Sequence, residues 1–347
     1  MKTSFKFAAL ALLASAAAAA SAQSSVTLFG IVDIAARNVK NGDTSVKSLS
    51  SGGINTSRLG VRGNEDLGGG LIAGFWLEMG FNADTGTQSD AARYFNRRST
   101  ASLLGSFGEV RLGRDFSPSY TGLSDFDTFG DNGVAASSKF FQKFGTTVDT
   151  NTRSDNLVSY MLPSNLGGFY GQLSVAPGEA TSGKKYLGGR AGYAAGPVNL
   201  SLAYARTDVS ALAGTSDDKY KVLTLGASYD LGVAKLTGYY SENKYASLKT
   251  ATYSLGTIVP VTPLASLKLA YTHVNATGAL NGASIDKNDA NQLAVGGIYT
   301  LSKRTAVYAT YARVNNKGAA AYVVDSAPAA VAGRNSTGYE LGLRHAF

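Results

Sequence analysis

The chain has 347 residues, no cysteine, 41 glycines, 19 tyrosines and only 16% charged residues, with a formal net charge of +8. Lack of cysteine excludes a fold stapled by disulfides or built on thiolate ligands, and charge far below the ~25% usual for soluble domains argues against an ordinary soluble protein. The basic excess holds no block of five or more like charges and is spread among strands, which points to a basic interior surface rather than a nucleic-acid patch.

In chain order, residues 1–22 read as a secretory signal peptide. Lys2 and Lys6 form a positive start, Ala8–Ala20 a short apolar run, and Ala20-Ser21-Ala22 a small-x-small cleavage site that leaves Gln23 as the mature terminus. Without those two lysines the remaining domain, 23–347, carries 8 − 2 = +6. No later apolar run approaches ~18 residues, so no membrane-crossing helix is expected.

Beyond residue 22 the dominant pattern is alternation. Over 71–81, Leu71, Ala73, Phe75, Leu77, Met79 and Phe81 share one face, while Gly74, Glu78 and Gly80 share the other. The stretches 222–230 and 235–241 repeat the pattern. Lipid outside and water inside impose this period of two. Sixteen such segments are predicted, at 25–37, 54–64, 71–82, 93–104, 108–116, 153–162, 168–176, 185–194, 197–207, 219–230, 233–243, 248–258, 264–274, 289–300, 304–314 and 336–347. Tight turns at 66–70, 105–108, 165–168, 196–197 and 230–232 alternate with long polar connections such as 38–53, 208–218, 275–288 and 315–335. Short turns at one rim and long loops at the other are the habit of membrane barrels, as is an even strand number. The expected fold is therefore a single all-β domain, a 16-stranded antiparallel transmembrane β-barrel.

One connection is exceptional. Residues 117–152 are rich in Gly, Ser, Thr, Asp and Phe and lack alternation. Structureless connections beyond about 12–15 residues are usually functional. This one, the third long loop, is expected to fold inward and narrow the lumen.

Particular motifs carry a family resemblance. The start "SSVTLFGIVDIA" (24–35), the hairpin "SRLGVRGNEDLGGGLIAGFWLE" (57–78), "FNRRSTASLLGSFGEVRLGRD" (95–115) and the end "YELGLRHAF" (339–347) resemble general diffusion porins of Gram-negative bacteria. They are most similar to the beta-proteobacterial type, whose best-known members are anion-selective. The resemblance implies an outer-membrane homotrimer of 16-stranded barrels, set among outer-membrane lipid and lipopolysaccharide. It implies passive diffusion of small hydrophilic solutes and inorganic anions, with no cofactor and no nucleic-acid partner.

The resemblance also implies a pore constriction in which strand arginines face acids of the inward loop. "SRLG" places one at Arg58, on the face opposite Leu59 and Val61, and "RSDNLVSY" places another at Arg153. "FNRR" assigns Arg97, where the family more often has Arg-Gln. Alternation leaves Arg98 open as its rival, because Arg97 shares parity with Phe95 and Ala101. Glu78 matches a family acidic position, and "DFDTFGDNG" (125–133) offers Asp127 and Asp131, with Asp125 ranked below them. Lys139 and Lys143 in the same loop would blunt its acidity. Arginines on one wall and carboxylates on the other would set a transverse field across a narrow aqueous slot, focused by low-dielectric walls. Arg suits the task because it stays charged at any relevant pH.

Other chemistry is thinly supported. His273 and His345 are the only histidines, and no Gly-x-Ser-x-Gly elbow accompanies either, so a hydrolase lacks its parts. A metal site would lack soft ligands and any EF-hand spacing. The remaining alternatives are a channel specific for small carboxylates or sugars, and a plugged structural or adhesive barrel. Phe126, Phe129, Phe140, Phe141 and Phe144 could line a sugar path or anchor the loop to the wall.

Overall fold

A computed structural model describes residues 25–347. The expected signal peptide, 1–22, lies outside the described residues. Within them, nineteen strands form: β1 (Ser25–Asn41), β2 (Thr44–Ser51), β3 (Arg58–Gly68), β4 (Leu71–Gly80), β5 (Arg98–Gly105), β6 (Gly108–Phe116), β7 (Arg153–Met161), β8 (Phe169–Ala176), β9 (Tyr186–Ala195), β10 (Val198–Asp208), β11 (Lys219–Asp230), β12 (Lys235–Tyr245), β13 (Leu248–Thr262), β14 (Ala265–Thr277), β15 (Ala279–Leu280), β16 (Ala283–Ser284), β17 (Ala290–Thr300), β18 (Thr305–Asn316) and β19 (Ser336–Ala346). The short β15–β16 hairpin stands apart, and the other seventeen make one sheet of antiparallel neighbours.

That sheet closes on itself. β1 pairs with β19 from Ile31↔Ala346 to Asn41↔Ser336, and Gly30 and the terminal Phe347 exchange two backbone hydrogen bonds of 3.0 Å. The other edge of β1 meets β2 along 34–41 and β3 along 25–31. β2 and β3 thus occupy one wall position, broken at 52–57, and the seventeen strands make a 16-stranded barrel. Closure matters because hydrocarbon offers no partner to an exposed sheet edge.

The break has a visible cause. The fully buried Asp33 carboxylate accepts hydrogen bonds from the backbone N–H of Gly53 (3.0 Å), Ile54 (3.0 Å) and Asn55 (2.7 Å), and from the Tyr308 hydroxyl. A carboxylate with this many donors turns 52–57 out of the ladder. The expected loop 38–53 is accordingly corrected: β1 runs on to Asn41, turns at 42–43 and returns as β2. Its residues are polar on both faces because both are wet above the bilayer, so the period-two signal fades where the strand continues. β5 likewise starts at Arg98, later than the expected 93, and 93–97 belong to the preceding connection. Between β12 and β13 a two-residue turn, 246–247, replaces a long loop at the long-loop rim.

The two faces of the wall are chemically distinct. Along β10, Leu200, Leu202 and Tyr204 are about half exposed, whereas the alternate Ser201, Ala203 and Ala205 are buried. The exposed leucines and tyrosines form the hydrocarbon-facing surface, and the buried small residues face inward.

Residues 117–152 pack against that inward face. They open with a two-turn helix, Pro118–Ser124, capped by the Ser117 hydroxyl accepting from the Tyr120 N–H. Phe126 then lies so close over Gly226 of β11 that a Cβ there would collide with its ring. Thr128 hydrogen-bonds Thr237 of β12 at 2.8 Å, and Lys139 donates to Gln292 of β17 at 2.7 Å. Phe129, Val134 and Phe140 complete an apolar cluster with Val274, Ala294 and Val314. Fully burying one such ring stabilises by roughly 1.5–3 kcal/mol. Phe126, Phe129 and Phe140 are at most 6% exposed, so they are anchors and not a water-facing aromatic path.

Candidate functional site

On the inward faces of β3 to β7, the wall opposite these anchors, the charged side chains gather. Register explains the gathering. Arg58 pairs across from Gly80, Gly60 from Glu78, and Glu78 from Arg98, so neighbouring strands bring their polar faces to one level. Glu78 is the hub: its Oε1 accepts from Arg97 Nε at 2.5 Å and lies 3.9 Å from Arg58 Nε, while Oε2 accepts from the Trp76 indole N–H at 3.1 Å. Arg153, at the start of β7, donates to the Arg97 backbone carbonyl at 2.8 Å and stacks 4.0 Å above the Phe116 ring. Arg58 and Arg97 therefore share a single carboxylate, with Arg153 held beside Arg97, which leaves positive charge in excess there.

Both members of the Arg97–Arg98 pair reach the inward side, for different reasons. Arg98 is the first residue of β5 and shares the inward parity of Thr100 and Ser102. It lies 4.4 Å over Trp76 and 3.4 Å from Asp115. Arg97 precedes the strand, so alternation does not govern it, and its side chain turns to Glu78. Arg62 also lies over the Trp76 ring, at 4.9 Å, and Arg111 is held by Glu109 and Asp115, each at 2.7 Å.

The loop acids sit elsewhere. Asp131 accepts from the Ser138 N–H (2.7 Å) and the Tyr120 hydroxyl (2.9 Å). Burial, with the nearby Asp127 charge, pushes its carboxyl up to about 6. Asp127 accepts from the Phe129 N–H at 2.7 Å, and its second oxygen is buried with no hydrogen bond among the described residues. Burial raises its pKa too, against the opposing charge of Lys268. Asp125, ranked below both from sequence, is the loop acid that meets an arginine: Arg190 of β9, at 2.7 Å. Among the described residues, no carboxylate of 125–131 forms an ion pair with Arg58, Arg97 or Arg153. Lys139 is drawn inside the loop, donating to the Val134 carbonyl and Gln292, each at 2.7 Å, and burial lowers its amine to about 7. Lys143 is exposed.

Sequence reading missed Trp76, Arg111, Asp115 and Arg190. Parity does carry Trp76 with Glu78, and Arg111 opposite Leu112, so that signal was available. Asp115 was not accessible in this way, because a bulge at Gly113 (φ +125°) shifts the register before it.

Comparison with known proteins fits this geometry. A profile of the family described as Gram-negative porin matches residues 8–319. An outer membrane porin of Delftia acidovorans is 42% identical, covering 98% of each chain. The solved structure of an anion-selective porin from Comamonas acidovorans is 39% identical, covers 94% of this chain and 100% of that one, and superimposes with a TM-score of 0.82. OmpT of Vibrio cholerae in its trimer form, at 17% identity, 93% and 99% coverage and a TM-score of 0.66, shares the fold.

Proposed function

The chain belongs to the Gram-negative porin family and is an outer-membrane channel for passive diffusion, and from that premise we propose that it prefers anions, acts as a homotrimer and is constricted by residues 117–152. The observation that carries the anion preference is the cluster in which Arg58 and Arg97 share the single Glu78 and Arg153 adjoins Arg97. Three guanidinium groups that stay charged, focused in a narrow slot between low-dielectric walls, raise the local concentration of anions and repel cations. Because Asp131 is bonded to Tyr120 and Asp125 to Arg190, and Asp127 is buried under the influence of the Lys268 charge instead, they do not cancel the arginines. The anchored position of Phe126 and Phe140 supports a fixed constriction, and their burial favours a general channel over a sugar-specific one with an aromatic path. The anion-selective Comamonas porin and the trimeric Vibrio OmpT are the similar proteins whose properties point the same way.

The test is single-channel conductance and zero-current potential in a planar bilayer under a salt gradient. Discrete steps with an anion-biased potential are expected. A cation-biased potential would overturn the role given to the arginines, and a folded protein that conducts nothing would return the plugged barrel.

A further inference from the structure

The charged wall holds a second recess, nearer the tight turns than the Arg58–Glu78 cluster. Cross-strand register sets it. Arg62 of β3 stands opposite Trp76 of β4, and Trp76 opposite Thr100 of β5. One inward row closer to the turns, Gly74 stands opposite Ser102, and Ser102 opposite Arg111 of β6. Arg62 lies four residues along β3 from Arg58, which at ~3.3 Å per residue places the recess about 13 Å away. These side chains border a cavity of about 420 Å³.

Trp76 gives the recess a flat aromatic wall. It is the chain's only tryptophan, and it is half-buried on the lumenal face. Its indole N–H is taken by Glu78, and Phe29 of β1 meets the ring edge-on, with centroids 5.3 Å apart and planes at 72°. The Arg62 guanidinium lies 4.9 Å from the Trp76 centroid and 5.2 Å from that of Phe29, and the Arg98 guanidinium 4.4 Å from Trp76. Ring faces attract cations and hold them without neutralising them.

The recess keeps one cation unpaired. Arg98 and Arg111 both meet Asp115, at 3.4 and 2.7 Å, and Arg111 also meets Glu109 at 2.7 Å. Arg62 is exposed, and among the described residues it pairs with no carboxylate. Three guanidinium groups thus face two carboxylates, and the charge of Arg62 is left for a solute.

Cation and ring together select that solute. A guanidinium fork binds a carboxylate through two parallel hydrogen bonds. An aromatic ring attached to the carboxylate gains offset or edge-to-face contact with Trp76, which a saturated ring does not. A single exposed ion pair is weak, as a site in a conducting channel must be if its occupant is to leave.

We propose that Arg62, Trp76 and Phe29 form a docking site for aromatic monocarboxylates, the carboxylate on the Arg62 fork and the ring against Trp76. The site rests on the channel reading, because its ligand arrives through a wet lumen. It is separate from the Arg58, Arg97 and Arg153 cluster that carries the anion preference.

Fluorescence of the single tryptophan reports this recess alone. The experiment titrates the purified full protein with benzoate and with cyclohexanecarboxylate, which share charge and approximate size. Benzoate should change the emission saturably, with half-saturation at about 1 mM or above and about threefold to tenfold below that of cyclohexanecarboxylate. Arg62→Gln should weaken benzoate binding several-fold. Should that variant not fold, Arg62→Lys, which keeps the charge and loses the planar fork, should still weaken it measurably. In a planar bilayer, benzoate should block chloride steps more than cyclohexanecarboxylate does, and Trp76→Leu should remove that difference. Equal half-saturation of the two acids by the wild type, or undiminished benzoate binding by the Arg62 variants, would overturn the proposal. Chloride steps without a preference for benzoate would strike this site alone, whereas absence of steps would strike the channel reading, and the titration, which needs no ion flow, still decides the site.

Discussion

The two halves of the barrel wall obey the same alternation and do opposite things with their inward faces. From β3 to β7 the inward positions hold Arg58, Glu78, Arg98, Arg111 and Arg153, large charged groups that need water and one another. Where the loop lies on β10 to β18 they include Ala203, Gly226, Gly256, Gly296 and Ala312, small enough for Phe126, Thr128 and Phe129 to lie against the backbone. Charge on one side and vacated volume on the other place the loop off-centre, toward the smooth wall. The loop packs against one half because side-chain volume and hydration, not strand geometry, differ between the halves.

Stripping the charged wall should do most to erase the difference between the halves. Arg58→Ala, Arg97→Ala and Arg153→Ala combined should abolish most of the anion preference, lowering the anion-to-cation permeability ratio about fivefold or more, read from the zero-current potential. Next comes the smooth wall. Phe126→Ala with Phe140→Ala should cost about 3–5 kcal/mol per ring in the packing of the loop; larger and noisier single-channel steps would report its release. Filling the wall instead, with Gly226→Leu, should displace the Phe126 ring toward the lumen at a cost of about 1–3 kcal/mol and lower conductance without altering the sign of selectivity. A smaller change is expected from Glu78→Gln, which frees Arg97 and Arg58 from their shared carboxylate and should sharpen anion preference by about twofold or less.

The smallest expected effect concerns pH. The Asp131 carboxyl, raised to about 6, carries its charge at pH 7 and loses it by pH 5. Anion preference should therefore rise modestly between pH 7 and 5, and Asp131→Asn should flatten that slope. The same shift ties the loop's stability to pH. A carboxyl whose folded pKa is raised binds its proton more tightly in the folded state, so the loop's packing weakens as pH rises from about 4 through 6. For Lys139, lowered to about 7, the packing is weakest while the amine is charged and strengthens as pH rises from about 7 toward 10. Between pH 6 and 7 both groups are ionised, and channel noise attributable to the loop should be greatest there.

Much of this was legible in the residues alone. Alternating apolar and polar positions forced a barrel, because a span without helices must close its sheet to satisfy the backbone. The same parity put Arg58 and Glu78 on the inward face, and the anomalous length and composition of 117–152 marked it as the element to explain. Three matters depended on tertiary structure. Arg97 turns inward although it lies outside its strand, so alternation had no hold on it. The partners of Asp125, Asp127 and Asp131 come from β9, β14 and the loop itself, at sequence distances that no local pattern encodes. The register that sets Glu78 opposite Gly60 and Arg98, and so gathers the charged faces of β3 to β5 at one level, is set by turn lengths and cross-strand hydrogen bonds. Periodicity is a local consequence of lipid on one side and water on the other, and it is written into every strand. Which charges meet is a property of the closed sheet, decided only when all sixteen strands take their places.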